Sequence, residues 1–263
     1  MKSIKQLSSL AVFLIAAVLT GCAGNDSFTF VHMSDTQIGF IDESPHFVHS
    51  DSLMKAAVSA ANALDPSCVI ITGDLVNSAG NAEQDSIYRA NKAMITAPVY
   101  EVLGNHDIRG YDRFSFMDHG CAFIGIDSNC IKDGDEKAEA EQLEWLKKEL
   151  TSSSGARMKF IFLHCPLIRE RIDEKEDYFN FPVAKREEYI SLFKETGVTA
   201  VFAGHTHEDF ATEYDGIGFY AAGPVGNALG HGTPGYNVVK VEKGSYSVNY
   251  VPTPGIDPTH CRF

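Results

Sequence analysis

Five short polar clusters carry the residue types that could do chemistry: Asp35-Thr36-Gln37, Gly73-Asp74, Gly104-Asn105-His106-Asp107, His164-Cys165-Pro166 and Gly204-His205-Thr206-His207. Together they offer carboxylate and amide oxygens and imidazole nitrogens. Those are hard and borderline donors, suited to manganese, iron or zinc rather than to a soft-metal site. Any one cluster is compatible with an ordinary strand-ending turn, because Gly and Asn favour turns, or with a histidine satisfied in the core. Five of them, each directly behind a run that reads as a strand, are not accounted for in that way. The C-terminal ends of strands are where open α/β sheets place their sites.

The elements that must position these clusters alternate strand and helix without a compositional break. Strands are expected at 28–34, 68–72 and 98–103, with an Ala-rich amphipathic helix at 50–64 and a second helix at 83–95. A bent segment holding Tyr111, Phe114 and Phe116 leads to a strand at 121–126. A helix at 139–150 puts Leu143, Leu146 and Leu150 on one face, followed by a strand at 158–163, a helix at 185–195 and a strand at 198–202. From Asp209 onward helices stop, and short strands are expected at 210–214, 218–222, 236–241 and 245–251. This grammar predicts an α/β (α+β) fold, a four-layer αββα sandwich in which two mixed sheets pack face to face under outer helices. Within it His32 reads as a packed strand residue, and Asp127-Ser128-Asn129 as a further strand end able to hydrogen-bond a ligand. The acidic run 173–177 reads as a solvated loop, Tyr178 and Phe179 as a lip or a staple for it, and His231 as a rim contact.

With 263 residues and 44% hydrophobic content, the chain can bury a sizeable core. The formal charge of -13 argues against a nucleic-acid backbone as the main partner. At the N-terminus, Lys2 and Lys5 precede an apolar run at 10–19 that ends in Leu19-Thr20-Gly21-Cys22. That ending resembles a bacterial lipobox. Cleavage there would remove residues 1–21 as a signal peptide and leave Cys22 as a diacylated residue on a tether, 22–27, with one domain at 28–263. The expectation is a protein of the bacterial cell envelope, held to a membrane through its N-terminal lipid; an ordinary secretory signal with an incidental cysteine is the alternative. The five other cysteines are odd in number and irregular in spacing, which suggests neither a disulfide framework nor a thiolate zinc site.

The clusters Gly73-Asp74, Gly104-Asn105-His106-Asp107 and Gly204-His205-Thr206-His207 resemble the motifs of the calcineurin-like metallophosphoesterases. Asp35-Thr36-Gln37, Phe114-Ser115-Phe116, and Ile172-Asp173-Glu174 with Asp177-Tyr178-Phe179-Asn180 resemble the calcineurin-like phosphoesterase-domain Ser/Thr phosphatase subgroup. The resemblance implies two divalent metals bridged by Asp74, with Asp35, Gln37 and His207 on one and Asn105, His164 and His205 on the other. It implies a metal-dependent phosphoric-ester hydrolase that attacks with a bridging hydroxide, His106 acting as leaving-group acid and Asp107 orienting His106. Most of the family has histidine where Gln37 stands, and the amide oxygen tilts that ion toward manganese, with iron or zinc also compatible. Asn77 falls near where purple acid phosphatases carry a metal-bound tyrosine, so a colourless protein is expected. The implied substrates are phosphorylated small molecules or proteins. A phosphodiesterase acting on nucleotide or lipid head groups, and a non-catalytic metal-containing binding lipoprotein, remain as competing readings.

Overall fold

Alternation along single strands explains how the layers form. In β1, Phe28–Met33, Phe30 faces one way into an aromatic core while Val31 and Met33 face the other way into an aliphatic one. The computed structural model describes residues 27–108, 110, 113–229 and 232–255. The signal segment and Cys22, Tyr111, His231 and Cys261 lie outside the described residues, as does all of the tether but residue 27.

The first half supplies β2 (Val69–Thr72) and β3 (Val99–Val102), with α1 (Val48–Asn62) and α2 (Ala82–Lys92) between the strands. Next come β4 (Phe114–Asp118), β5 (Cys121–Gly125), α3 (Asn129–Lys132), α4 (Glu136–Ser152), β6 (Met158–Phe162), α5 (Val183–Glu195) and β7 (Ala200–Ala203). The last strands among the described residues are β8 (Phe210–Tyr214), β9 (Ile217–Ala221), β10 (Gly235–Glu242) and β11 (Ser245–Pro252). They form a five-stranded sheet, β11-β10-β1-β2-β3, and a six-stranded sheet, β4-β5-β6-β7-β9-β8. Both are mixed. The strands β1, β2 and β3 run parallel, as do β5, β6, β7 and β9; β4 and β8 add antiparallel edges to the second sheet, and β10 pairs antiparallel with both β1 and β11 in the first.

Between the sheets lies an aromatic layer in which Phe30 meets Phe123, Phe160 and Phe202 at ring separations of 5.1, 5.4 and 5.7 Å. Burying each such ring contributes about 1.5–3 kcal/mol. Outside one sheet, α1 packs Met54, Ala57, Val58 and Ala61 on Val31, Met33, Val69 and Ile71. Outside the other, Leu146 and Leu150 of α4 and Tyr189, Ile190 and Phe193 of α5 cover Ile124, Ile161 and Val201. The expected four-layer sandwich is therefore the observed one.

Two local expectations are corrected. The segment read as a bend contains β4, because Phe114 and Phe116 alternate with exposed neighbours and turn toward the aromatic layer, where Phe116 stacks on Tyr100 at 3.8 Å. The helix expected to reach residue 95 ends at Lys92, and Ile95 packs into the core from the connecting turn instead.

Candidate metal centre

Each cluster leaves the C-terminal end of a parallel strand: Asp35 and Gln37 after β1, Asp74 after β2, Asn105 to Asp107 after β3, His164 after β6, and His205 and His207 after β7. The two sheets thus contribute opposite walls of one site. Its backbone is unusual. Asp35, Gln37, Asp74, His205 and His207 all have positive φ, at 50, 34, 50, 68 and 54°. Non-glycine residues in that region cost about 1–3 kcal/mol each and persist only where the surroundings over-determine them. Here the loops hold one another: the Asp35 N–H donates to the Gly73 carbonyl at 3.0 Å, and the Gln37 N–H to the Asp74 carbonyl at 2.8 Å. Two glycines let the loops nest, since a Cβ on Gly104 would overlap the Asp74 carboxylate and one on Gly204 would overlap Ser34.

The side chains converge. Oδ2 of Asp74 lies 3.4 Å from His164 Nε2, which is 3.2 Å from Asn105 Oδ1; Asp35 Oδ1 lies 3.5 Å from His207 Nε2. Potential donor atoms of Asp74, His164 and His205 fall within 4.8 Å of one another. Each imidazole spends one nitrogen on a main-chain carbonyl, which can only accept. Nδ1–H of His164 donates to Thr72 O at 2.7 Å, Nδ1–H of His207 to Asn227 O at 3.1 Å, and Nε2–H of His205 to Tyr178 O at 3.0 Å. The second nitrogen of each ring faces the centre, the usual arrangement in which histidines are held for a metal. Two buried oxygens, Asp35 Oδ1 and Gln37 Oε1, have no hydrogen-bond partner. An orphaned buried acceptor costs about 1–3 kcal/mol, and a cation between them would satisfy both.

Electrostatics agree with that fit. Burial raises the Asp35 carboxyl. Burial also pushes Asp74 upward, but His164 beside it and the His106 N–H bring it well below the usual carboxylate range. His164, which burial would depress, is raised by the Asp74 and Asp35 carboxylates around it. Such a pocket favours positive charge. His205 is pushed down to about 3, first by burial and then by His164, and stays neutral.

His106 and Asp107 part company. The His106 N–H donates to Asp74 Oδ1 at 2.9 Å, and its ring Nδ1–H donates to the Asn77 carbonyl at 2.8 Å. Asp107, expected to orient His106, turns the other way: its carboxylate accepts from Gly104 N at 2.8 Å, Leu75 N at 2.9 Å and Val76 N at 3.4 Å. The turn closed by the Asp107 N–H on the Gly104 carbonyl sends the two side chains to different sides. Asp107 therefore ties the loop after β3 to the loop after β2, and burial raises its carboxyl to about 6 despite those N–H donors.

Other residues singled out in the sequence fall beside the site. Asn129 donates to the Leu103 carbonyl at 3.1 Å and Ser128 Oγ accepts from Cys165 N at 2.9 Å, so both brace site loops. His32 is fully buried among Phe162 and Phe202. A cavity of about 180 Å³ lies over the centre, lined by Gln37, Asp74, His106, Tyr178, His205 and His207. It shares Phe179 and Leu229 with a larger cleft of about 570 Å³ bordered by Glu170, Lys175, Glu208 and Asp209. Sequence reasoning passed over Asn227 and the carbonyls of Thr72, Asn77 and Tyr178. A main-chain group leaves no mark in a sequence, and only the run 177–180 gave any signal.

The calcineurin-like phosphoesterase family model matches residues 28–209, and the chain belongs to that family of dinuclear phosphoesterases. The serine/threonine-protein phosphatase CPPED1 of Danio rerio is 29% identical over 260 residues, covering 85% of this chain and 84% of that protein. A cAMP/cGMP dual specificity phosphodiesterase of Mycobacterium tuberculosis is 24% identical over 221 residues, covering 72% of this chain and 65% of the other. Among solved structures, a dimetal phosphatase from Danio rerio shares the fold with a TM-score of 0.68 at 14% identity, over 86% of this chain and 96% of that one.

Proposed function

We propose that this chain is a manganese-dependent phosphomonoesterase in which Asp35, Gln37 and His207 hold one ion, Asn105, His164 and His205 a second, and Asp74 both. The observation that carries this reading is the three-imidazole arrangement: each ring has one nitrogen tied to a carbonyl and the other turned to a centre shared with Asp35 and Asp74. Four of the seven side chains offer oxygen, which favours manganese over softer metals. When bound, two divalent ions supply Lewis acidity and bring the pKa of a coordinated water toward neutrality.

The chain's own residues do the rest. His106 is oriented through Nδ1–H by the Asn77 carbonyl, which leaves Nε2 as its available nitrogen at the cavity. Protonated there, it gives its proton to the leaving oxygen as the P–O bond breaks, so that an alcohol departs rather than an alkoxide. Asp107 keeps the loop of Asn105 and His106 in register with that of Asp74. Likeness to the CPPED1 phosphatase supports phosphorylated proteins or small phosphate monoesters as substrates. Diester hydrolysis is the second reading, supported by the adjoining cleft, which has room for a second ester arm, and by the likeness to a cyclic-nucleotide phosphodiesterase.

The test uses the full-length chain in detergent, stripped of metal and reloaded with Mn, on an aryl phosphate monoester and the matching diester. The monoester should turn over faster, and His106→Asn should lower kcat by about 10²–10⁴-fold with both ions retained. Faster diester turnover would select the second reading. No turnover with Mn, Zn or Mg would leave a metal-containing binding module.

We infer from residues 19–22 that the mature protein is acylated at Cys22 and held on the cell envelope. Radiolabelled fatty acid should be incorporated by the full chain and lost with Cys22→Ala; label retained in the variant would refute the anchor.

A further inference from the structure

We propose that Tyr178 is a positioning residue that sets two ligands of the same ion through two different groups, its hydroxyl acting on Asn105 and its main-chain carbonyl on His205. The proposal rests on the dimetal reading and goes beyond its ligand set.

An asparagine can serve a metal only with its amide oxygen, and its two ends are almost the same size. Packing alone selects poorly between them; a hydrogen bond does better. Asn105 Nδ2 donates to Tyr178 Oη at 2.9 Å, which turns Oδ1 to the opposite side, 3.2 Å from His164 Nε2. Without an acceptor at Oη, the reversed amide would present an NH₂ group that no cation can use. His205 has the parallel ambiguity of two ring nitrogens. With Nε2–H donating to the Tyr178 carbonyl at 3.0 Å, its Nδ1 carries the lone pair. The phenol ring also lies 4.7 Å from the imidazole, which limits how far the imidazole can turn.

Tyr178 is 58% exposed, so burial of its ring does not account for its placement. The loop that carries it is nevertheless fixed from both sides. Asn180 bridges it, accepting from Asp177 N at 2.9 Å and donating to Glu174 Oε1 at 2.9 Å. The fully buried Arg186 donates to the carbonyls of Ile172, Glu174 and Phe181 at 3.0, 2.6 and 3.0 Å. Lys132 Nζ reaches the Asp177 and Asn180 carbonyls at 3.0 and 2.5 Å. Braces on either side of one exposed tyrosine place its hydroxyl and carbonyl where the two ligands need them. In the other half of the centre the His207 ring is held by the Asn227 carbonyl and the Gln37 main chain by the Asp74 carbonyl, neither of them through Tyr178. The consequence is one-sided.

The experiment is a calorimetric Mn titration of metal-stripped full-length protein in detergent, comparing wild type with Tyr178→Phe, with thermal melting to confirm folding. Wild type should bind two ions. Tyr178→Phe should weaken one of them by about 10–100-fold and leave the other within about twofold. The same substitution made in the Asn105→Asp background should cost about twofold or less, because a carboxylate presents oxygen from either end. Two unchanged affinities in Tyr178→Phe, with or without a raised KM, would overturn the proposal and make the hydroxyl a substrate contact or a bystander. Equal weakening of both ions would overturn it too. A wild type that binds fewer than two ions would instead overturn the dimetal reading.

Discussion

The two halves of the centre are built by different means. Asp35, Gln37 and His207 sit on backbone in the left-handed region, at φ of 50, 34 and 54°, and every one of them is nearly inaccessible to solvent. The loops after β1 and β7 are stitched directly to neighbouring loops, with the Gly226 N–H donating to the Asp35 carbonyl at 3.0 Å and His205 N to Asp35 Oδ2 at 2.9 Å. His205 shares that strained backbone, at φ of 68°, but its ring and the Asn105 amide take their orientation from the exposed Tyr178 on the long connection before α5. One half takes its side-chain order from the strained frame alone; the other adds to it a braced loop. The difference teaches where each half can fail: the first by losing a donor, the second by losing an orienting partner.

Three changes would sharpen or break that comparison. The largest effect is expected for Asp74→Ala, which removes the carboxylate placed between the halves together with its bonds to His106 N and His164, and both ions should be lost along with turnover. Elemental analysis of the purified variant checks this; a variant that keeps two ions would show that the halves are independent. Next is Gln37→Ala, which deletes one of the two orphaned oxygens and should weaken only the ion of the rigid half, by about 10-fold, in a Mn titration. Loss from both halves would mean that the frame, not the donor, had been broken.

The smallest effect concerns the floor under both halves. His32 accepts from Asn237 Nδ2 at Nδ1 and donates through Nε2–H to Thr72 Oγ1, and the Thr72 carbonyl in turn receives His164 and Ser34. A protonated ring would set an N–H against the Asn237 donor, and burial pushes the His32 pKa from 6.5 down to about 3. Between those values the unfolded chain binds the extra proton, so this contribution to stability is intact above pH 6.5 and is lost as pH falls toward 3. The slope is at most about 1.4 kcal/mol per pH unit. Denaturant unfolding from pH 7 to 4.5 should show a shallower acid slope in His32→Gln than in wild type; equal slopes would remove His32 from the account.

How much of this was legible depends on whether side chains or main chain did the work. Short strand-like runs at β1, β2, β6 and β7 carried the two sheets, and each of these strands buries both faces under a neighbouring layer. The strand ends were visible through the residue types that follow them. Hidden were the orienting groups. The Asn77, Asn227 and Tyr178 carbonyls belong to positions whose side-chain identity does not reveal a backbone acceptor. Asp107 misled because adjacency in sequence was read as adjacency in space, whereas a tight turn separated it from His106. Segment β4 escaped because two aromatic residues at an edge strand give too short a pattern to set against a bend.

The most direct test of the account is crystallographic: anomalous diffraction from the Mn-loaded protein, with data collected on both sides of the manganese absorption edge. Two peaks are expected, on either side of the Asp74 carboxylate, one beside Gln37 Oε1 and the other beside Asn105 Oδ1. A single peak, or peaks away from Asp74, would contradict it.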